Sequence, residues 1–148
     1  TDYQQCSSER LKVLFMKIYD IFLCKENIAD LDYNKLFTEK FSLTIKYWRN
    51  FSTEELSESS LEEINRNYAV SAEQSKYIVS TLADIFPDVG PKDLISAIYK
   101  PKGTVEFYKN SQPIGQINDL QFAKQFMNIW LHPNARFEKS RNRLMANK

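Results

Sequence analysis

The chain has 148 residues, 43% of them apolar and 26% charged, a length and composition that suit one domain, residues 1–148, with its own buried core. A formal net charge of +1 exerts no global pull toward nucleic acid or other acidic partners. With only three glycines, no phosphate-cradling loop of the Walker or dinucleotide type is present, no apolar run reaches the length of a membrane span, and no signal peptide is visible.

In chain order, "YQQC" followed by "SSE" reads as a short strand and a turn. Next comes "RLKVLFMKIYDIFLC", residues 10–24, which is apolar on both alternations. Positions 11, 14, 15, 18 and 22 also form a fair helical stripe. The β-branched and aromatic content, and the apolarity of the remaining sides, favour a central strand buried on both faces. On that reading Cys24 lies more than about 40 Å along an extended strand at about 3.3 Å per residue. A bridge to Cys6 is then not expected, and two free thiols are.

"KENIADLDYNKL" is a polar connection. "FSLTIKYW", residues 41–48, alternates cleanly: Phe41, Leu43, Ile45 and Tyr47 face one way, and Ser42, Thr44, Lys46 and Trp48 the other, as in a sheet with one covered face. Ser52 and Glu55 form a capping box that starts a helix running to about Asn67 and burying Leu56, Leu61 and Ile64. Ser71 caps a second helix, with Ile78, Leu82 and Ile85 as its buried stripe and Pro87 as its stop. A β-meander follows, with strands at about 93–100, 104–109 and 113–117 and turns at "KG" and "NSQ". After Asp119 a helix places Phe122, Phe126, Ile129 and Trp130 on one face and stops at Pro133. A short basic amphipathic helix begins near Phe137. Strands, a helical pair, a meander and further helices in that order spell an α+β fold, a mostly antiparallel sheet covered by helices on one side.

Candidate chemistry is sparse. The only histidine, His132, sits between a helix and a proline, and the cysteines lack metal-ligand spacing, so no metal and no cofactor are expected. Glu54, Glu55, Glu58, Glu62 and Glu63 read as the solvated side of a helix, and the basic segment from Arg136 as a solvated helix end. Lys46 and Trp48 share the non-core face of their strand, an arrangement able to stack a base, but a tryptophan packed under a neighbouring element explains it as well; no nucleic-acid partner is expected. Arg10 and Tyr19 are the pieces suited to holding one carboxylate or enolate beside an apolar tail, the first as a permanently charged forked donor and the second as an added O–H.

Three blocks, "RLKVLFMKIYDIFLC", "FPDVGPKDLISAIYKPKGTVEFYKNSQPIGQI" and "FAKQFMNIWLHPNARFEKSRNRLM", resemble successive segments of the bacterial chalcone isomerase-like domain. The family pattern runs roughly R-L-K-Y-L-F-x-x-V-Y-D-A-x-L-Y, then F-P-D-V-x-x-G-D, F-Y-x-N-G-x-x-I-G-x-I and F-A-x-x-F-x-x-I-W-L, with a final L-R-x-x-L-L. The chain departs from it at Pro91-Lys92, at Asn110-Ser111 and at Ser140-Arg141. The resemblance implies an open-faced β-sandwich with a ligand cleft between sheet and helices. In the plant enzymes an arginine and a strand threonine act on the substrate ketone, aided by a helical Tyr and Asn. Fatty-acid-binding relatives pair the arginine with a tyrosine at the threonine position. Matching the motif puts Tyr19 on that position and Arg10 on the arginine, with the helical pair falling on Ser52 and Ser59.

The resemblance therefore implies a non-catalytic protein that binds a fatty acid or similar amphipathic anion, with Arg10 and Tyr19 at the polar end of the cleft. An envelope module that binds another protein without a small ligand is the alternative, and an isomerase or lyase using Arg10 and Tyr19 a third reading. A periplasmic location is the expectation, because many bacterial members of the family are exported.

Overall fold

The computed structural model describes residues 5–146. Its centre is one six-stranded sheet in which the strands lie in sequence order and every neighbouring pair is antiparallel: β1 (Gln5–Val13), β2 (Met16–Lys25), β3 (Phe41–Tyr47), β4 (Leu94–Lys100), β5 (Thr104–Lys109) and β6 (Gln112–Ile117). The connection from β2 to β3 holds a 3₁₀ turn and a one-turn helix, α1 (Tyr33–Leu36). The connection from β3 to β4 carries α2 (Thr53–Tyr68) and α3 (Ala72–Ile85), and the chain ends in α4 (Leu120–Leu131) and α5 (Glu138–Ala146).

Local signals place most of these elements as expected. Both capping boxes form: Ser52 and Ser71 each accept a backbone N–H from the third helical residue, and Glu55 and Gln74 accept back from the cap's own N–H. Asp119 caps α4 by accepting from Gln121 and Phe122. His132 closes that helix, its Nδ1 accepting the Asn134 N–H at 3.0 Å. Along β3, Phe41, Leu43, Ile45 and Tyr47 are all buried, and the register continues their face through Ile95, Ala97 and Tyr99 of β4 into Val105 and Phe107 of β5. Helices α2, α3 and α4 cover that face with Ile64, Leu82, Phe126 and Met127. The opposite face stays half-open and polar, tied by a Thr44–Ser96 hydroxyl pair at 2.9 Å and a Lys100–Glu106 ion pair at 2.8 Å.

The N-terminal third departs from the expectation. Residues 10–24 are not one central strand but most of a hairpin that turns at Leu14-Phe15, where both φ angles are positive, +50° and +68°. Ser7 and Ser8 lie within β1, paired with Leu23 and Phe22, and make no turn; Tyr3 and Gln4 fall outside the described residues. Because the chain folds back, Cys6 and Cys24 become cross-strand partners, their Cα atoms 4.1 Å apart, and they form a disulfide. The expectation of two free thiols is corrected by the same turn. Strand distance separates two residues only while the strand runs straight, and a two-residue turn cancels it.

Candidate ligand cavity

A cavity of about 430 Å³ lies between the core face of the sheet and the helices, within the usual size of a small-molecule pocket. Its floor is β2–β5, where Ala97 contributes only a methyl group between Leu43 and Phe107. Leu56 of α2 and Phe126, Ile129 and Trp130 of α4 form the roof. Apolar side chains therefore enclose most of the space. The polar groups collect in three places: the phenols of Tyr19 and Tyr47 on the sheet, Ser59, Ser60 and Glu63 on α2, and the guanidinium groups of Arg49 and Arg136 at the margin. A small annex of about 30 Å³ between β1, α4 and α5 shares Leu11, Tyr19, Ile129 and Trp130 with the main cavity.

Tyr19 sits at the junction of the two spaces. Its hydroxyl oxygen accepts the Trp130 indole N–H at 3.1 Å, which leaves its own O–H free to donate into the cavity. Burial pushes its pKa up to about 12, so the phenol is a neutral donor at physiological pH. The register sets Tyr47 directly opposite, with the two rings edge to face at 6.3 Å. Burial raises the Tyr47 phenol as well, with the Tyr19 phenol adding to the shift. Glu63 and Arg136 both lie close enough to act on the charge of Tyr19. They face each other as a loose pair at 3.5 Å, with the arginine more than half exposed. Two neutral phenols, the Glu63 carboxylate and the loosely paired Arg136 thus gather at one end of an apolar chamber, where the phenols can donate hydrogen bonds to an oxyanion.

Arg10 lies elsewhere. It faces Asp20 across the β1–β2 pair and grips it through two hydrogen bonds, Nε to Oδ1 at 2.6 Å and Nη2 to Oδ2 at 3.0 Å. That contact raises the arginine pKa and holds the Asp20 carboxyl below its ordinary value. Tyr19 precedes Asp20, so its side chain points to the opposite, cavity face. The structure therefore does not bring Arg10 and Tyr19 together. The register shift between Leu11 and Lys12 decides this, because the Lys12–Lys17 register carried on without it would pair Arg10 with Tyr19 on one face. Of the two serines matched to the enzymes' helical pair, Ser59 lines the cavity and Ser52 serves as the α2 cap.

Sequence reasoning missed Tyr47, Trp130 and Arg136 as members of one site. Tyr47 lies on the core-facing alternation of its strand and Trp130 on the apolar face of its helix, so the sequence marks both rings for packing. Arg136 opens a basic segment that reads as a solvated helix end. Nothing local marks these three as neighbours, since they come from β3, α4 and the loop before α5.

The family model described as chalcone isomerase-like matches residues 10–145. No curated protein matches the sequence. Among solved structures, the crystal structure of an Arabidopsis thaliana fatty-acid binding protein superimposes with a TM-score of 0.67 at 8% identity, covering 97% of this chain and 85% of that one. At that identity the likeness is one of fold.

Proposed function

The chain belongs to the chalcone isomerase-like family, and on that premise we propose that its cavity holds the acyl chain of a fatty acid or similar amphipathic anion, with the carboxylate at the Tyr19–Tyr47 end. The observation that carries this reading is the composition of the cavity. An apolar chamber of about 430 Å³ ends in two phenols kept neutral by burial, beside the partly engaged Arg136. A neutral phenol donates to an oxyanion without a desolvated charge of its own, and an exposed guanidinium supplies the attraction. Tyr19 keeps the role that the family resemblance assigned to it. Arg136, which lines the same space, takes the cationic role first given to Arg10.

Binding accounts for these features better than catalysis does. With a pKa near 12, Tyr19 is a poor base at neutral pH, burial raises the Tyr47 phenol in the same direction, and the other ionisable groups lining the cavity among the described residues are Glu63, paired with Arg136, and Arg49. The Cys6–Cys24 bridge supports an oxidising compartment, and the periplasm is the location we propose.

The test is a titration with a fluorescent fatty acid, together with mass spectrometry of whatever organic extraction releases from the purified protein. Saturable binding, competed by unlabelled long-chain fatty acid, is the expected result. Absence of both binding and extractable lipid would remove the proposal.

A further inference from the structure

The hairpin between β1 and β2 ends in four apolar residues, two of them half-exposed and two almost wholly exposed. Val13 and Met16 are 45% and 47% exposed, Leu14 is 86% exposed and Phe15 is 99% exposed. Leu14 and Phe15 also occupy the two positive-φ positions of the turn, where Asn and Gly are the residues that avoid steric cost. Two large apolar side chains thus sit where turn chemistry disfavours them and where water is their only neighbour. Backbone strain joined to apolar exposure at one tip points to a function outside the fold.

The surroundings define the partner. From Leu11 to Tyr19 the chain carries no carboxylate. Lys12 and Lys17 face each other at the base of the tip, and Arg49 reaches the Met16 sulfur at 3.7 Å. Lys17 and Lys46 lie over the Trp48 ring at 4.1 and 4.8 Å from its centroid. None of these four cations forms an ion pair among the described residues, and Asp20, whose charge acts on Lys17, is held by Arg10. The pattern is a narrow apolar wedge ringed by cations with an indole beside it, as interfacial membrane anchors are built. The wedge also adjoins the cavity mouth, since Val13, Ile18 and Arg49 line that space.

We propose that the Leu14-Phe15 tip inserts into the headgroup region of an anionic lipid bilayer, setting the cavity mouth against the membrane so that an amphipathic ligand can pass between them. The passage rests on the ligand reading given above; the docking does not. A small insertion with a ring of lysines predicts reversible attachment that weakens with salt.

The experiment is flotation of the whole chain with vesicles of phosphatidylcholine mixed with phosphatidylglycerol, and with vesicles of phosphatidylcholine alone. The wild type should float with the mixed vesicles and lose most of that binding as salt is raised. The double variant Leu14→Asn/Phe15→Gly supplies the favoured turn residues, so it should melt no lower than wild type while its partitioning falls at least about tenfold. Lys12→Gln/Lys17→Gln should lose the preference for mixed vesicles. Both variants should titrate fluorescent fatty acid in solution as wild type does, which separates docking from ligand binding. Flotation of the tip variant equal to that of wild type overturns the proposal. So does failure of wild type to float, including the case where the tip captures a protein instead. Tip-dependent flotation without fatty-acid binding would leave the docking standing and remove the ligand reading alone.

Discussion

Ala97 gives the most direct test of the cavity. It lies at the middle of β4 with its methyl group on the cavity floor, opposite Leu43 on one side and Phe107 on the other. Ala97→Leu adds three carbon atoms to a space that is otherwise unfilled by protein. If an acyl chain occupies that space, the new side chain displaces about three of its methylenes, each worth about 0.8 kcal/mol of burial. The loss is about 2.4 kcal/mol, or about fiftyfold in Kd, since about 1.4 kcal/mol corresponds to tenfold. The unliganded protein should respond in the opposite sense, because the larger side chain fills a void without displacing packed atoms. Its unfolding free energy should stay level or rise by up to about 2 kcal/mol. Fatty-acid titration and urea unfolding of the same two proteins read both quantities. Unchanged affinity would show that the ligand, if bound, lies elsewhere. A loss of more than about 3 kcal/mol in stability would show instead that residue 97 has no open space before it.

The other predictions concern the polar end, the disulfide and alkaline pH. Tyr19→Phe removes one donor to the ligand and leaves the Trp130 N–H without its acceptor, so carboxylate affinity should fall about tenfold or more and stability by about 1–3 kcal/mol. Arg136→Gln should weaken carboxylate binding and leave the corresponding alcohol unaffected, whereas Arg10→Ala should change neither. An Arg10→Ala affinity equal to that of Arg136→Gln would refute the assignment. Cys6→Ser/Cys24→Ser opens a loop of sequence separation 18 and should cost about 3 kcal/mol, seen as a fall in Tm of about 6–12 °C that reductant reproduces in the wild type. Tyr19 ionises near pH 12 in the folded chain and near 10 when unfolded, so the stability it contributes is intact below pH 10 and lost as pH rises toward 12, about 2–3 kcal/mol in all. Ultraviolet titration of the phenols should show a late-ionising class that Tyr19→Phe diminishes; eight tyrosines titrating together near pH 10 would contradict it.

Much of the architecture was written locally. The two capping boxes, the Asp119 cap and the alternation along β3 each depend on residues within one turn or one pleat, and each stands where the sequence puts it. The order of elements then determines the α+β class, because a meander needs only short turns and the helices have one apolar face to cover. The α1 region reads as polar connection, yet Tyr33 and Phe37 pack on the core and Tyr33 donates to Asn128 at 2.9 Å, a contact made across most of the chain's length.

What the sequence could not determine by itself lay in register and in long-range company. Residues 10–24 carry apolar side chains on both alternations, so periodicity gives no warning of the turn at Leu14-Phe15, whose residues carry none of the usual turn chemistry. That turn makes β1 an edge strand, and together with the register shift between Leu11 and Lys12 it decides that Cys6 meets Cys24 and that Arg10 meets Asp20. The site is likewise a product of tertiary packing. Tyr19 was recognisable by its place in a motif, but Tyr47, Trp130 and Arg136 reach it from positions 28, 111 and 117 residues away along the chain. Residue type and spacing describe what a side chain can do; only the closed sheet and the helices packed on it decide which side chains share one volume.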